Sequence, residues 1–128
     1  MPEFRNIHVF DLMKYRLPWA GKVSILHRVS GLLMFLLIPF VLYLFDKSIT
    51  SEISFSTFKA VLANPFAKLV ILALIWSYLH HFCAGIRFLM LDLHKGIDKK
   101  SSAQSAVMVL VVSLSLTAVC AAKLFGLF

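Results

Sequence analysis

The chain has little charge and very little of it is acidic: six Asp and Glu stand among 128 residues, against thirteen Lys and Arg. A soluble domain rarely solvates its surface on so few charges. Only two cysteines are present, Cys83 and Cys120. Both fall inside apolar runs, which excludes a disulfide framework or a cysteine cluster for metal and leaves them as small packing residues. Five glycines and four prolines, with no internal repeat and no low-complexity tract, exclude collagenous and linker-like architectures. No ten-residue stretch alternates apolar and polar residues, so nothing supports a membrane β-barrel. What remains is hydrophobic: 60% of the residues are apolar.

Those residues gather in three runs, at about 24–45, 69–91 and 106–124. Each holds roughly 20 apolar positions, enough to cross about 30 Å of hydrocarbon at 1.5 Å per residue. Backbone groups in lipid must be satisfied within the segment, so the runs predict helices. The expected fold is an all-α, three-helix integral membrane domain spanning 23–128, preceded by an arm at 1–22. That arm carries Arg5, Lys14, Arg16 and Lys22 without a continuous apolar core, so it does not read as a cleavable signal peptide. It is expected to lie along the membrane surface or against a soluble partner.

The net charge of +7 is read as topology rather than nucleic-acid affinity. Lys95, Lys99 and Lys100 place further charge in the connection after the second run, while Lys47 and Lys59 in the first connection are offset by Asp46 and Glu52. The positive-inside rule then puts the N-terminus in the cytoplasm and the C-terminus outside, in a bacterial inner membrane. Pro39 should kink the first span in its outer half. A short amphipathic turn is expected around 53–62, and Asn64-Pro65 should start the second span. The third run holds no ionisable residue between Ala106 and Ala122, only Ser113, Ser115 and Thr117, and is assigned to packing.

The chemistry is concentrated in the second run, in Ser77-Tyr78-Leu79-His80-His81-Phe82-Cys83-Ala84-Gly85-Ile86-Arg87. Ionisable groups at membrane depth are costly and mark a cofactor, a proton path or a buried pair. Ala84 and Gly85 follow His81 at helical spacing, leaving room for a flat macrocycle, and neutral imidazole is a standard haem-iron ligand. One stripe should hold Ser77, His81, Ala84, Gly85, Phe88 and Asp92, with His80 turned towards Ala84 and Arg87. His81 is therefore the expected axial ligand of a b-type haem. The alternative for either histidine is a satisfied packing residue.

A second constellation opens the first span: Ser24-Ile25-Leu26-His27-Arg28-Val29-Ser30-Gly31. Ser24 and Arg28 are four apart and share a face. They are expected to line a polar pocket at the cytoplasmic face, able to bond a quinone carbonyl or a haem propionate. The guanidinium is suited to this because it is planar and always charged. Its bland alternative is an arginine snorkelling to headgroups. His81 sits near the middle of its run and Arg28 about one turn inside the boundary, roughly 10 Å apart along the helix axes. On that count His27 stands at the wrong level to be a second ligand, so the other ligand is expected from another polypeptide.

Together these motifs resemble the cytochrome b subunit of succinate dehydrogenase, one of the two membrane anchors of respiratory complex II. The resemblance rests on residues 24–31 with His81, Gly85, Ile86, Arg87 and Asp92, and it extends over essentially the whole chain. It implies that His81 is an axial ligand of haem b shared with a second membrane anchor, whose histidine supplies the other ligand. It further implies that Ser24 and Arg28 line the ubiquinone pocket beside the iron–sulfur subunit, and that His27 and Arg28 lie near the haem propionates. Phe88 stands where many bacterial members carry histidine. The implied mechanism runs from succinate, on a flavoprotein subunit, through the iron–sulfur subunit to quinone. The chain would be non-catalytic alone, since it carries no flavin motif, cysteine cluster or succinate site. Competing expectations are a haem-free structural anchor, a fumarate reductase anchor and a small proton-relay transporter subunit, the last disfavoured by the apolar third span.

Overall fold

A computed structural model describes residues His8–Phe128; Glu3 and Arg5 of the arm lie outside the described residues. A 3-10 helix at Val9–Lys14 is followed by five α-helices: α1 Trp19–Leu36, α2 Ile38–Ile49, α3 Glu52–Ala63, α4 Pro65–Asp92 and α5 Lys99–Leu124. The described chain holds no strand. α4 and α5 are each long and apolar enough to cross a membrane, and α1 and α2, bent by 48° at their junction, are so when taken together.

The bend has a local cause. Pro39 has no N–H and its ring would meet the carbonyl of Phe35 in a continuous helix. The backbone therefore steps aside at Leu37 (φ −91°, ψ 0°), and the helix restarts with Pro39 in its first turn. Leu37 N–H still donates to the Leu33 carbonyl at 3.1 Å, and Val41 N–H to the Leu37 carbonyl at 3.0 Å, so the break leaves few backbone groups unpaired. The kink expected at Pro39 is thus present.

The start of α4 is equally legible. Asn64 Oδ1 accepts from Phe66 N–H at 2.8 Å and Ala67 N–H at 3.4 Å, with Pro65 just inside the helix. α3 is a full 12-residue helix rather than a turn, opened by a reciprocal cap between Ser51 and Ser54. α5 begins at Lys99, seven residues before its apolar run, because Asp98 caps it by accepting from Ser101 N–H at 3.0 Å.

α4 packs centrally, with α1 on one side and α5 on the other. The buried apolar residues are small or medium: Val23, Ala67, Ala84, Ala106 and Val109. Small side chains let helix backbones approach in the absence of a hydrophobic driving force between helices in lipid. Large apolar side chains such as Phe35, Phe82, Leu89, Met108 and Val119 point outward, as a bilayer or a partner helix requires.

The buried stripe of α4 includes Ser77, His80, Ala84 and Arg87. Ala84 sits between both neighbours, in one cluster with Val23 of α1 and Ala106 and Val109 of α5, while His80 and Arg87 reach α5 and His81 and Gly85 face α1. His80 is fully buried, stacked on Trp76 at 5.2 Å, with Nδ1 3.5 Å from the Ser113 hydroxyl. Arg87 ties α4 to α5: Nε donates to Ser105 Oγ at 2.9 Å, and Nη2 to the Ser102 carbonyl and hydroxyl at 3.1 and 2.9 Å.

Candidate functional site

The two histidine-bearing motifs meet where α1 crosses α4. His81 Nδ1 lies 3.1 Å from the His27 carbonyl and 3.2 Å from Ser30 Oγ. Ser30 hydroxyl itself donates to the His27 carbonyl at 2.7 Å. With that hydrogen committed, Ser30 can only accept from the imidazole, so Nδ1 carries the proton in the neutral ring. No described residue bonds Nε2 of His81. Metal-bound histidines are commonly held in this way, with a backbone carbonyl fixing Nδ1–H and Nε2 left as the lone-pair donor.

Glycines set the distance between the helices. A Cβ on Gly31 would lie 3.1 Å from His81 Cε1 and 3.4 Å from Nδ1, so only glycine admits the ring without displacement. Gly85 faces His27, whose Nε2 would be 3.9 Å from a Cβ there. Each helix thus presents a glycine near the histidine of the other. The rings of His27 and His81 stack at 4.0 Å between centroids and 15° between planes, and Phe88 packs edge-on against His27 at 5.1 Å.

His27 therefore stands at the level of His81, contrary to the depth count from the sequence. The count measured each residue from the edge of its own apolar run, whereas the axial offset of two helices is fixed by where their side chains interlock. Even so, His27 does not oppose His81: two parallel rings side by side cannot bind one iron from opposite faces. The space beside Gly85, read from sequence as room for a macrocycle, adjoins the His27 ring.

Ser24 is half-buried and Arg28 is exposed. Neither hydrogen-bonds or pairs with the histidines or with each other among the described residues. A pocket using them needs walls from outside this chain. Among the described residues no group of three His, Cys, Asp or Glu side chains could hold a metal ion alone. Sequence reasoning missed Ser30, whose signal was its place three residues after His27 and one before the glycine. It also missed Ser102 and Ser105, one turn apart at the start of α5, as the partners of Arg87.

The geometry joins the two motifs into one constellation, and both lie within the range matched by a known family. Residues 5–120 match the model of the succinate dehydrogenase/fumarate reductase transmembrane subunit family. The chain belongs to this family. A curated relative, the succinate dehydrogenase cytochrome b556 subunit of Coxiella burnetii (strain RSA 493 / Nine Mile phase I), is 36% identical over 104 residues, covering 80% of this chain and 83% of the relative. The chain is accordingly a multi-pass, all-helical membrane anchor of the cytochrome b type, a subunit within a larger complex.

Proposed function

We propose that the chain is the haem b-binding anchor of a succinate:quinone oxidoreductase in a bacterial inner membrane, with its N-terminus cytoplasmic and its C-terminus periplasmic. His81 would hold the haem iron through Nε2, together with a histidine of a second membrane anchor. The observation that carries this reading is the contact of His81 Nδ1 with the His27 carbonyl and Ser30 Oγ, which leaves Nε2 as the free nitrogen. The donor set fits the group: a neutral imidazole, oriented, with its outer nitrogen unbonded among the described residues. Haem b, when bound, would supply a one-electron redox centre between the helices.

This chain's own residues do the remaining work. The Gly31 gap and the Nδ1 bonds hold the imidazole in one rotamer. Arg28, exposed on α1, offers a permanent positive charge to a propionate or to developing negative charge on a quinone oxygen. Ser24, one turn earlier, offers a hydroxyl to a ubiquinone carbonyl and a route for a proton to it. His27 sits beside His81 in the propionate vicinity. The flavoprotein and iron–sulfur subunits carry succinate oxidation and deliver electrons to the Ser24–Arg28 end, and the surrounding bilayer covers the outward apolar faces.

A reduced-minus-oxidised visible spectrum of the purified membrane complex, with its subunits identified by mass spectrometry, tests the proposal. A b-type band with flavoprotein, iron–sulfur and second anchor subunits is expected. The same partners without the band would leave a haem-free anchor and overturn the ligand assignment.

A further inference from the structure

The ends of α4 and α5 that meet at their short connection, cytoplasmic in the orientation proposed above, enclose an open groove of about 510 Å³. It lies on a different face of α4 from the His27–His81 pair. Its walls are apolar, formed by Cys83, Met90, Met108 and Val112, and two cations, Arg87 and Lys95, stand at its loop end.

Arg87 is the unexplained element. It is 5% exposed, yet no carboxylate pairs with it among the described residues. A guanidinium presents five N–H donors. Nε and Nη2 spend three of them on Ser102 and Ser105. Nη1 bonds to no described residue, and the side chain lines the groove. A buried charge without a counter-charge is costly unless something supplies one.

The loop brings the second cation over the same opening. α4 ends in a left-handed residue, His94 (φ 58°), with Lys95 N–H donating to the Met90 carbonyl at 3.0 Å and His94 N–H to the Leu91 carbonyl at 2.9 Å. This is a Schellman ending. Gly96 (φ 68°) continues the reversal, so Lys95 folds back over the groove. The nearby acid Asp98 is committed to the α5 cap and does not line the groove. The outer rim, including Met90 and Met108, is exposed to whatever surrounds the helices.

A site with apolar walls, a lateral opening towards lipid and two uncompensated cations at one end fits an amphiphile with an anionic head. We propose that this groove binds an anionic phospholipid of the bilayer. Its phosphate contacts Arg87 Nη1 and Lys95, and an acyl chain runs over Cys83, Met108 and Val112. The inference does not depend on haem or quinone binding.

The test uses the whole detergent-solubilised complex, titrated with dioleoylphosphatidylglycerol or dioleoylphosphatidylcholine and read by native mass spectrometry. Lys95→Gln should weaken phosphatidylglycerol binding about fivefold, the value of one lysine charge near a membrane surface, and leave phosphatidylcholine unchanged. Met108→Trp, which fills the groove and leaves both cations in place, should also lower phosphatidylglycerol binding. Arg87 is left intact because it ties α4 to α5. Equal retention of the two lipids, or wild-type phosphatidylglycerol binding by both variants, would overturn the proposal. So would displacement of the lipid by millimolar inorganic phosphate, which would mark a bare anion site with no use for the apolar walls.

Discussion

Gly31→Ala tests the interlock of α1 and α4 with a single methyl group. The added Cβ would sit 3.1 Å from His81 Cε1 and 3.4 Å from Nδ1, closer than ordinary carbon contacts. The ring must move by a few tenths of an ångström. Its Nδ1 bonds, at 3.1 and 3.2 Å, are already at the long end of the N–H···O range, so the shift should break at least one. Overpacking of this kind costs about 1–3 kcal/mol, offset by roughly 0.5–1 kcal/mol from replacing glycine in a helix interior. The net expectation is a destabilisation of about 0–2.5 kcal/mol with a disturbed imidazole. Gly21→Ala is the control on the same helix: its Cβ meets Pro18 and Leu17 at 3.6–3.7 Å, ordinary contact, so it should be neutral or stabilising. The two variants would be compared by detergent-titrated unfolding and by nitrogen-15 NMR of labelled histidines in the complex. If Gly31→Ala matches Gly21→Ala in stability and leaves the His81 signals unmoved, the interlock is wrong.

Three further outcomes are expected. Ser105→Ala removes one interhelical acceptor of Arg87 and should cost about 0.6–1.7 kcal/mol in detergent-titrated unfolding, the range for such bonds in membranes; no change would mean the bond carries no stability. Arg28→Leu should reduce quinone reduction more than succinate oxidation with a soluble artificial acceptor, and equal losses in the two assays would point to assembly instead. Asp98 is held below the usual carboxylate range chiefly by the backbone N–H of Ser101. A depressed folded-state value means its cap contributes above the ordinary aspartate range, about pH 4, and is lost as pH falls through the folded value. The protection of the first-turn amides of α5, measured as exchange relative to the intrinsic rate at each pH, should fall with that acidification, and Asp98→Asn should make that protection independent of pH while keeping a cap.

Much of the fold was written in local chemistry that acts over one or two turns. The apolar runs marked the three spans, Pro39 the kink and Asn64-Pro65 the start of α4, because each effect is decided by neighbours in sequence. Hydropathy did not register the first seven residues of α5, where Asp98 and Lys99 extend the helix in polar residues. α3 was visible only as a weak amphipathic turn, since its cap joins two serines rather than the usual serine and glutamate. Within the site, the separation of His80 from His81 was legible from the 100° step between consecutive helical residues. The stacking of His27 on His81 was not, because it depends on the axial shift between α1 and α4. Nor did the motif reveal that Ser30 would fix the His81 tautomer, for that contact joins residues 51 apart in the chain.

The proposed haem site stands or falls on His81, and not its neighbour, presenting a free nitrogen to the iron. The most direct measurement is the haem content and reduced-minus-oxidised spectrum of the purified complex carrying His81→Ala, beside one carrying His80→Phe. His80 is fully buried and stacked on Trp76, and its Nε2 is enclosed without a hydrogen-bond partner among the described residues. Its aromatic replacement gives up the long contact to Ser113 and the approach to the Val23 backbone but keeps the stack on Trp76, so it should keep the b-type band. His81→Ala should lose or shift that band while the subunit remains in the membrane. A normal spectrum from His81→Ala, or loss of haem from a stably inserted His80→Phe, would contradict the account.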